Sequence, residues 1–334
     1  STEVIDGVNI IRHGGLFTVG IWAYIYYMTK FKYNFDVIID SAKGVPFFTP
    51  IYAIQPVVSL ICHVHQDMFK KGLIYPLAQI AMYLEKTAMP FVYASTPLVT
   101  ISPSSRKAIH QLGFDAKKKI EIVYPGVDNV RKMGKKTKNP SLLYLGRLRD
   151  YKNVDILIKC IPSLLAKYPK LTVTIAGEGE SMKSLKRLTH KLGVQDVVTF
   201  TGRVTDEQKN VLFTQAWIVV HPSIVEGWGI SNIEANLCGT PVVAANVDGL
   251  RDSVIHSKTG LLVESKNVPA FIAAIDSLLS DEKRRNEMGL HAKKWAAGFS
   301  WEASAESFYT LFSKLINTSP SYFRVSSRRA NIRI

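Results

Sequence analysis

The feature that most constrains this chain is the alternation, in its second half, of short β-branched runs with longer segments of helical period. The runs are Leu142 to Leu145, Leu171 to Ala176, Val197 to Phe200, Trp217 to His221, Pro241 to Ala244 and Leu261 to Val263. Between the first two, Val154, Leu157, Ile161, Leu164 and Tyr168 step by three and four along one helical face. Buried strands separated by helices predict a parallel sheet, because a parallel connection needs a crossover of helical length. This half therefore reads as a Rossmann-like domain. Pro162 is expected to interrupt and kink the first of its helices, since it lacks an N–H and its ring crowds the preceding turn.

The first half alternates less cleanly. Val37 to Ile39, Val57 to Cys62 and Leu98 to Ile101 read as buried strands, and Ser104 to Leu112 as a helix. Tyr124-Pro125-Gly126-Val127-Asp128 and the Gly/Lys-rich stretch that runs to Pro140 read as an interdomain linker. At 334 residues the chain accommodates two α/β domains. The first looks short of strands, as though the sequence began after an initial βαβ unit.

Charge narrows the partners. Lysine and arginine total 42 against 27 acidic residues, a formal +15, with clusters at Lys117 to Lys119, Lys132 to Lys138 and Arg324 to Arg333. Such an excess favours phosphorylated small molecules, anionic headgroups or nucleic acid, although a spread excess also describes an ordinary solvated surface. No zinc-finger or RNP-like pattern accompanies it, so nucleic acid is not expected as a partner. Cys62, Cys160 and Cys238 lie far apart, which excludes a disulfide framework and fits a reducing, cytoplasmic compartment. No apolar run reaches the roughly 20 residues of a membrane-spanning helix.

Three motifs carry chemistry. The strand at Leu142 to Leu145 runs into Gly146-Arg147-Leu148-Arg149-Asp150-Tyr151-Lys152-Asn153 and then a helix. A glycine at a strand end with cations at a helix start suits phosphate, and Arg147 and Lys152 are expected to face a cleft. Read alone, they are more simply ordinary exposed basic residues. Glu226-Gly227-Trp228-Gly229-Ile230-Ser231-Asn232-Ile233-Glu234 sets two carboxylates about a glycine-rich loop and a helix start, an arrangement suited to sugar hydroxyls. Ser231 and Glu234 also have the S-x-x-E spacing of a capping box, which would make Glu234 structural. Val58 to Cys62 leads to His63-Val64-His65, whose alternation on a strand would aim both imidazoles at one cleft, or at one metal if a third ligand existed. No metal is expected there, and the absence of a D-x-D gives no divalent clamp for a diphosphate. Gly177-Glu178-Gly179 lacks the third glycine of a dinucleotide fingerprint, so a dehydrogenase is rejected.

Taken in order, these pieces resemble a retaining glycosyltransferase of family 4, with the GT-B fold of two Rossmann-like domains facing across a cleft. The resemblance runs through His63/His65, Thr100-Ile101-Ser102-Pro103-Ser104-Ser105, Tyr124-Pro125-Gly126-Val127-Asp128, Gly146-Arg147 with Lys152, and Ala176-Gly177-Glu178-Gly179. It continues with Phe200-Thr201-Gly202-Arg203-Val204, His221-Pro222-Ser223, the E-x7-E pair Glu226 and Glu234, Gly239-Thr240-Pro241-Val242-Val243, Thr259-Gly260-Leu261-Leu262-Val263 and Phe299-Ser300-Trp301. It implies an N-terminal acceptor-side domain over 1–127 and a linker over 128–139. A nucleotide-sugar domain over 140–300, a crossover helix over 301–318 and a basic tail over 319–334 complete the division.

The resemblance also implies roles. Arg147 and Lys152 match the cations on the donor diphosphate, Glu226 the carboxylate near the donor sugar, and Glu234 the one on the ribose. Gly229 and Ile230 match the loop whose N–H groups meet phosphate and sugar, and Arg203 and Val204 the segment lining the nucleobase. A histidine approaches the donor sugar, with His63 the better fit and His65 open. The implied donor is a UDP- or GDP-hexose, with no cofactor, and the acceptor a glycan or a lipid-linked molecule. Asn153, Trp228 and Arg251-Asp252 depart from the family's glycine, phenylalanine and Pro-Glu. The competing reading is a catalytically inactive GT-B-like subunit that binds nucleotide sugar or supports a partner. Leu16 to Met28 and Ile74 to Tyr83, beside Lys30 to Lys32 and Lys70-Lys71, read either as core helices or as helices resting on the cytosolic face of an anionic membrane.

Overall fold

The β-branched runs form two separate parallel sheets, and each run expected from the sequence is a strand to within two residues at its ends. The computed structural model describes residues 1–15, 18–42, 44–128 and 134–318, with Asp67 and Lys71 as backbone only. The chain divides into two units. One comprises Ser1–Ile101, Ser105–Val123 and the chain from Ala305; the other comprises Ser102–Ser104 and Tyr124–Ser304. The expected basic tail, 319–334, and linker residues 129–133 lie outside the described residues.

The first unit opens with a hairpin, β1 (Thr2–Ile5) and β2 (Val8–Ile11), paired antiparallel about Asp6-Gly7. Both turn residues have positive φ, the requirement that makes Asp-Gly a two-residue hairpin signal. Next come α1 (Val19–Tyr26), β3 (Ile38–Ser41), β4 (Val57–Leu60), α2 (Gln66–Gly72), α3 (Leu77–Tyr83), α4 (Met89–Val92), β5 (Leu98–Thr100), α5 (Pro103–Gln111) and β6 (Ile120–Ile122). The four later strands form a parallel sheet in the order β3-β4-β5-β6. Its core is built on Ile61, Met89, Tyr93, Leu98, Ile109 and Ile120.

The second unit contains β7 (Ser141–Leu145), α6 (Val154–Lys167), β8 (Thr172–Ala176), α7 (Met182–Lys191), β9 (Val198–Gly202) and α8 (Asp206–Gln215). There follow β10 (Ile218–His221), α9 (Ile230–Leu237), β11 (Val242–Ala245), α10 (Leu250–Ser253), β12 (Gly260–Val263), α11 (Val268–Leu279) and α12 (Glu282–Ala296). Helix α13 (Trp301–Thr318) begins in this unit and ends in the first, where Phe308, Leu311, Phe312 and Leu315 pack on Val58, Val99 and Val123. The six strands are parallel in the order β9-β8-β7-β10-β11-β12, buried against helices. This is the doubly wound order in which the chain works outward from β7 in one direction and then, from β10, in the other.

Helix α6 runs unbroken through Pro162, so the expected interruption does not occur. Leu157, Ile158, Ile161 and Leu164 are all buried on either side of it, and their packing outweighs the local cost of the proline. The segment expected to be linker is anchored over its described part. The Gly134 N–H donates to Thr214 Oγ1 at 2.6 Å, and Lys136 Nζ donates to Ala216 O at 2.5 Å and Thr240 Oγ1 at 2.6 Å.

The glycines after β8 serve close approach of one loop to another. Gly177 has φ +135°, and a Cβ there would lie 1.9 Å from Gly146 O. Gly179 would place one 2.1 Å from Leu148 O. Gly177→Ala is expected to destabilise the second unit by roughly 3 kcal/mol through backbone strain and displacement of the 146–152 loop. Urea unfolding of the two proteins measures the difference.

Candidate active site

The winding order fixes where a site forms. Where strand order reverses, the loops leaving two neighbouring strands diverge to opposite faces and leave a crevice at the strands' carboxyl ends. Here that point lies between β7 and β10, and both sequence motifs leave from it: Gly146 to Lys152 follows β7, and Pro222 to Gly229 follows β10. The two loops are joined directly, the Ile224 N–H donating to Tyr151 O at 3.0 Å.

Lys152 and Glu226 meet across this crevice as a buried ion pair. Glu226 Oε1 also lies 3.0 Å from His221 Nε2, at the end of β10. The imidazole is held from behind. Ser253 Oγ donates to Leu250 O at 3.1 Å and so accepts from Asn232 Nδ2 at 3.0 Å, which turns Asn232 Oδ1 toward His221 Nδ1 at 2.7 Å. Burial alone would raise the Glu226 pKa. The hydrogen bond and charge of His221, then those of Lys152, outweigh it and bring the value from 4.5 down to about 2. Glu226 thus stays a carboxylate although it is largely buried. Lys152 uses one of three ammonium donors on it, leaving others for a ligand.

Asn153, which stands where the family has glycine, adopts φ 49° and ψ 38° at the start of α6. The backbone there needs the left-handed region, and asparagine is among the few side-chain-bearing residues that enter it readily. Gly229 has φ 73° at the start of α9, and no side chain caps that helix. A Cβ on Gly229 would meet Leu250 at 2.8 Å, and one on Gly249 would lie 2.2 Å from Glu226 O, so the loop is clamped from beneath. On its other side Trp228 is buried against Tyr124 and Phe299, with ring centroids 4.8 Å and 5.2 Å away, which accommodates the larger ring in place of phenylalanine.

Glu234 is not half of a capping box. The helix begins at Gly229, so Ser231 lies inside it and contacts His221 Nδ1 at 3.4 Å instead. Glu234 Oε1 accepts from Lys209 Nζ at 2.6 Å, and Lys209 is braced by Asp206 Oδ1 at 2.9 Å. Burial pushes the Glu234 carboxyl above its usual pKa and Lys209 opposes the shift. The capping box of this region is Thr205 with Gln208, at the start of α8. That helix also walls a cavity of about 420 Å³, lined by Thr201, Arg203, Val204, Glu207, Gln208, Val211 and Leu212.

Not every expected residue joins this cluster. Arg147 is exposed at the crevice mouth, 3.3 Å from the Tyr151 hydroxyl, whereas Lys152 is buried rather than open to solvent. His63 and His65 belong to the first unit. Strand β4 ends at Leu60, so the alternation argument does not reach them; His65 instead starts α2, and its backbone N–H donates to the buried Glu85 at 2.7 Å. Its Nδ1 lies 3.5 Å from the same carboxylate. Among the described residues no group of three or more His, Cys, Asp or Glu side chains forms a metal site. Lys209 is the member the sequence reading missed, with no local signal; His221 and Asn232 stood within the quoted motifs but were given no role.

Residues 128–295 match the family model described as glycosyl transferases group 1, which covers half of the chain. The chain belongs to this family. A D-inositol 3-phosphate glycosyltransferase of Rhodococcus erythropolis is 30% identical over 72% of this chain and 59% of its own length. A GDP-mannose-dependent alpha-(1-6)-phosphatidylinositol monomannoside mannosyltransferase of Mycobacterium tuberculosis is 30% identical over 63% of this chain and 60% of its own. The chain therefore spans about 60% of the length of these relatives. Sucrose-phosphate synthase from Thermosynechococcus elongatus superposes with a TM-score of 0.74 at 22% identity, over 90% of this chain and 78% of that one. The group 1 architecture is GT-B, and its two Rossmann-like domains correspond to the two units here.

The buried pair gives a signed expectation. Glu226→Gln should cost roughly 3 kcal/mol at neutral pH by leaving Lys152 buried beside a neutral amide. The wild-type advantage is present above pH 4.5, the ordinary value, and is lost as pH falls through about 2. Urea unfolding from pH 7 downward should show the two stabilities converging. Arg147→Ala, at an exposed site, should stay within about 0.5 kcal/mol.

Proposed function

We propose that this chain transfers a hexosyl group, with retention, from a nucleotide-diphosphate hexose to a glycan or lipid-linked acceptor. The observation that carries the reading is the crevice at the β7/β10 reversal, where Lys152, Arg147 and the uncapped start of α9 converge beside a buried, charged Glu226. In this reading Arg147, Lys152 and the N–H groups of Gly229 and Ile230 take the diphosphate. Glu226 borders the donor sugar, Glu234 accepts from the ribose hydroxyls, and Arg203 and Val204 border the base. The E-x7-E pair thus binds donor rather than acting as an acid and a base. His63, or else His65, serves the donor sugar.

The chemistry follows from charge. As the bond from the sugar C1 to the leaving phosphate oxygen breaks, negative charge grows on the diphosphate, where preorganised donors stabilise it. Each such donor contributes on the order of 3 kcal/mol to the transition state. The acceptor oxygen bonds C1 from the same face and its proton passes to the departing phosphate, so no protein nucleophile is assigned. Because the cations offset the diphosphate charge, the reaction is assigned no metal. Turnover of UDP- and GDP-hexoses, followed by mass spectrometry, should persist in EDTA. Loss on chelation with recovery on magnesium or manganese would refute the metal-free assignment. Donor bound without turnover would point to the non-catalytic subunit.

A peripheral membrane location accompanies this reading. Helix α1 has no buried residue and exposes Val19, Ile21, Tyr24 and Ile25, and Ile74, Tyr75, Leu77, Ile80 and Tyr83 stand exposed on and before α3. Tyr27, Ala78 and Ala81 of the same segments are buried, so each segment has one packed side and one exposed apolar side, and Lys30 and Lys70 flank them in sequence. No helix among the described residues is long and apolar enough to cross a membrane. An interfacial role, apolar side chains at the acyl boundary and lysines on anionic headgroups at about 1 kcal/mol each, suits them. Sedimentation with anionic vesicles should carry the protein down at low salt and less at high salt. Equal, negligible pelleting with neutral and anionic lipid would refute it.

A further inference from the structure

The cavity against α8 combines apolar walls with two charged side chains. Its apolar walls are Val204, Val211 and Leu212, and at about 420 Å³ it lies within the range of small-molecule pockets. Two charged groups of opposite sign line it, Glu207 and Arg203, and neither has a hydrogen-bond or ion-pair partner among the described residues. Their neighbours are already committed: Asp206 braces Lys209, and Gln208 Oε1 accepts the Thr205 N–H at 2.9 Å. The unpaired carboxylate and guanidinium are thus the charged groups left to read a ligand, beside the Gln208 amide N–H.

We infer that this cavity selects guanine, so that the donor is a GDP-sugar rather than a UDP-sugar; the inference rests on the donor reading above. A carboxylate accepts best from two adjacent N–H donors, and guanine presents that pair, N1–H beside the 2-amino group. A guanidinium donates best to two adjacent acceptors, and guanine presents O6 and N7, the edge that arginine reads bidentately in nucleic acids. Uracil offers one N–H set between two carbonyl oxygens, which would face the Glu207 carboxylate acceptor to acceptor. Adenine carries an amino group where guanine has O6 and lacks the N1–H. Only guanine satisfies both charged groups together. Ribose and diphosphate then lead from this cavity toward Glu234, held by Lys209 of the same helix, and on to Lys152.

Calorimetric titration of the whole chain with GDP, UDP and ADP tests this. GDP should bind at least tenfold more tightly than either of the others. Glu207→Ala should reduce that preference to threefold or less while UDP affinity changes little, and Arg203→Met should weaken GDP more than UDP. Both side chains are exposed, so unchanged melting temperatures establish that the variants fold. UDP or ADP binding as tightly as GDP overturns the base assignment and leaves the donor site standing. A GDP preference that survives Glu207→Ala intact overturns the role of Glu207. Failure of all three diphosphates to bind overturns the donor reading itself.

Discussion

The reversal of strand order between β7 and β10 is the constraint on which the rest of the second unit depends. A sheet wound in one direction only would carry its helices to one face and leave no crevice. Winding outward both ways sends the loops after β7 and β10 apart and brings their first residues together. Every charged contact of the site then follows from short reach. Lys152 returns from the β7 loop, Glu226 hangs from the β10 loop, and His221 closes the strand between Glu226 and Asn232. The buried ion pair is tolerable because each of its members has a specific partner. An unpaired carboxylate at that depth would be protonated or expelled.

Much of this was legible in the sequence because strands buried on both faces read as unbroken apolar runs, and Leu142 to Leu145 or Trp217 to His221 admit little else. The order of the strands was not legible, since periodicity says nothing about which neighbours pair. The hairpin at Thr2–Ile11 carried a signal, Asp6-Gly7, but its strands are exposed and lack a clean alternation. Pro162 misled because local propensity was weighed without the tertiary packing around Leu157 and Ile161, which keeps the helix continuous through it.

The site was legible in its motifs and opaque in its contacts. Spacing marked Glu226 and Glu234 but left Glu234 divided between ligand and cap. Only the position of Gly229 immediately before α9 decides against the cap, because it puts Ser231 inside the helix, two residues past the cap position. Lys209 stands far from Glu234 in sequence and meets it through the packing of α8 on α9, which no local pattern announces. His63 and His65 show the reverse error. The pair was placed on a strand that stops short of it at Leu60, and His65 instead stands at the start of α2 with its backbone N–H on Glu85.

The first unit is discontinuous: α13 returns to it after the second unit is complete, and Phe308, Leu311, Phe312 and Leu315 cover Val58, Val99 and Val123. During synthesis the sheet that carries these valines emerges long before its cover does. At roughly 5–20 residues per second, the ribosome needs on the order of ten seconds or more to supply the rest. The strands of the second unit all emerge before α13, so that unit has its sheet complete within that interval. Until then the valines of the nascent first unit lack their cover, an exposed apolar face of the kind that favours aggregation.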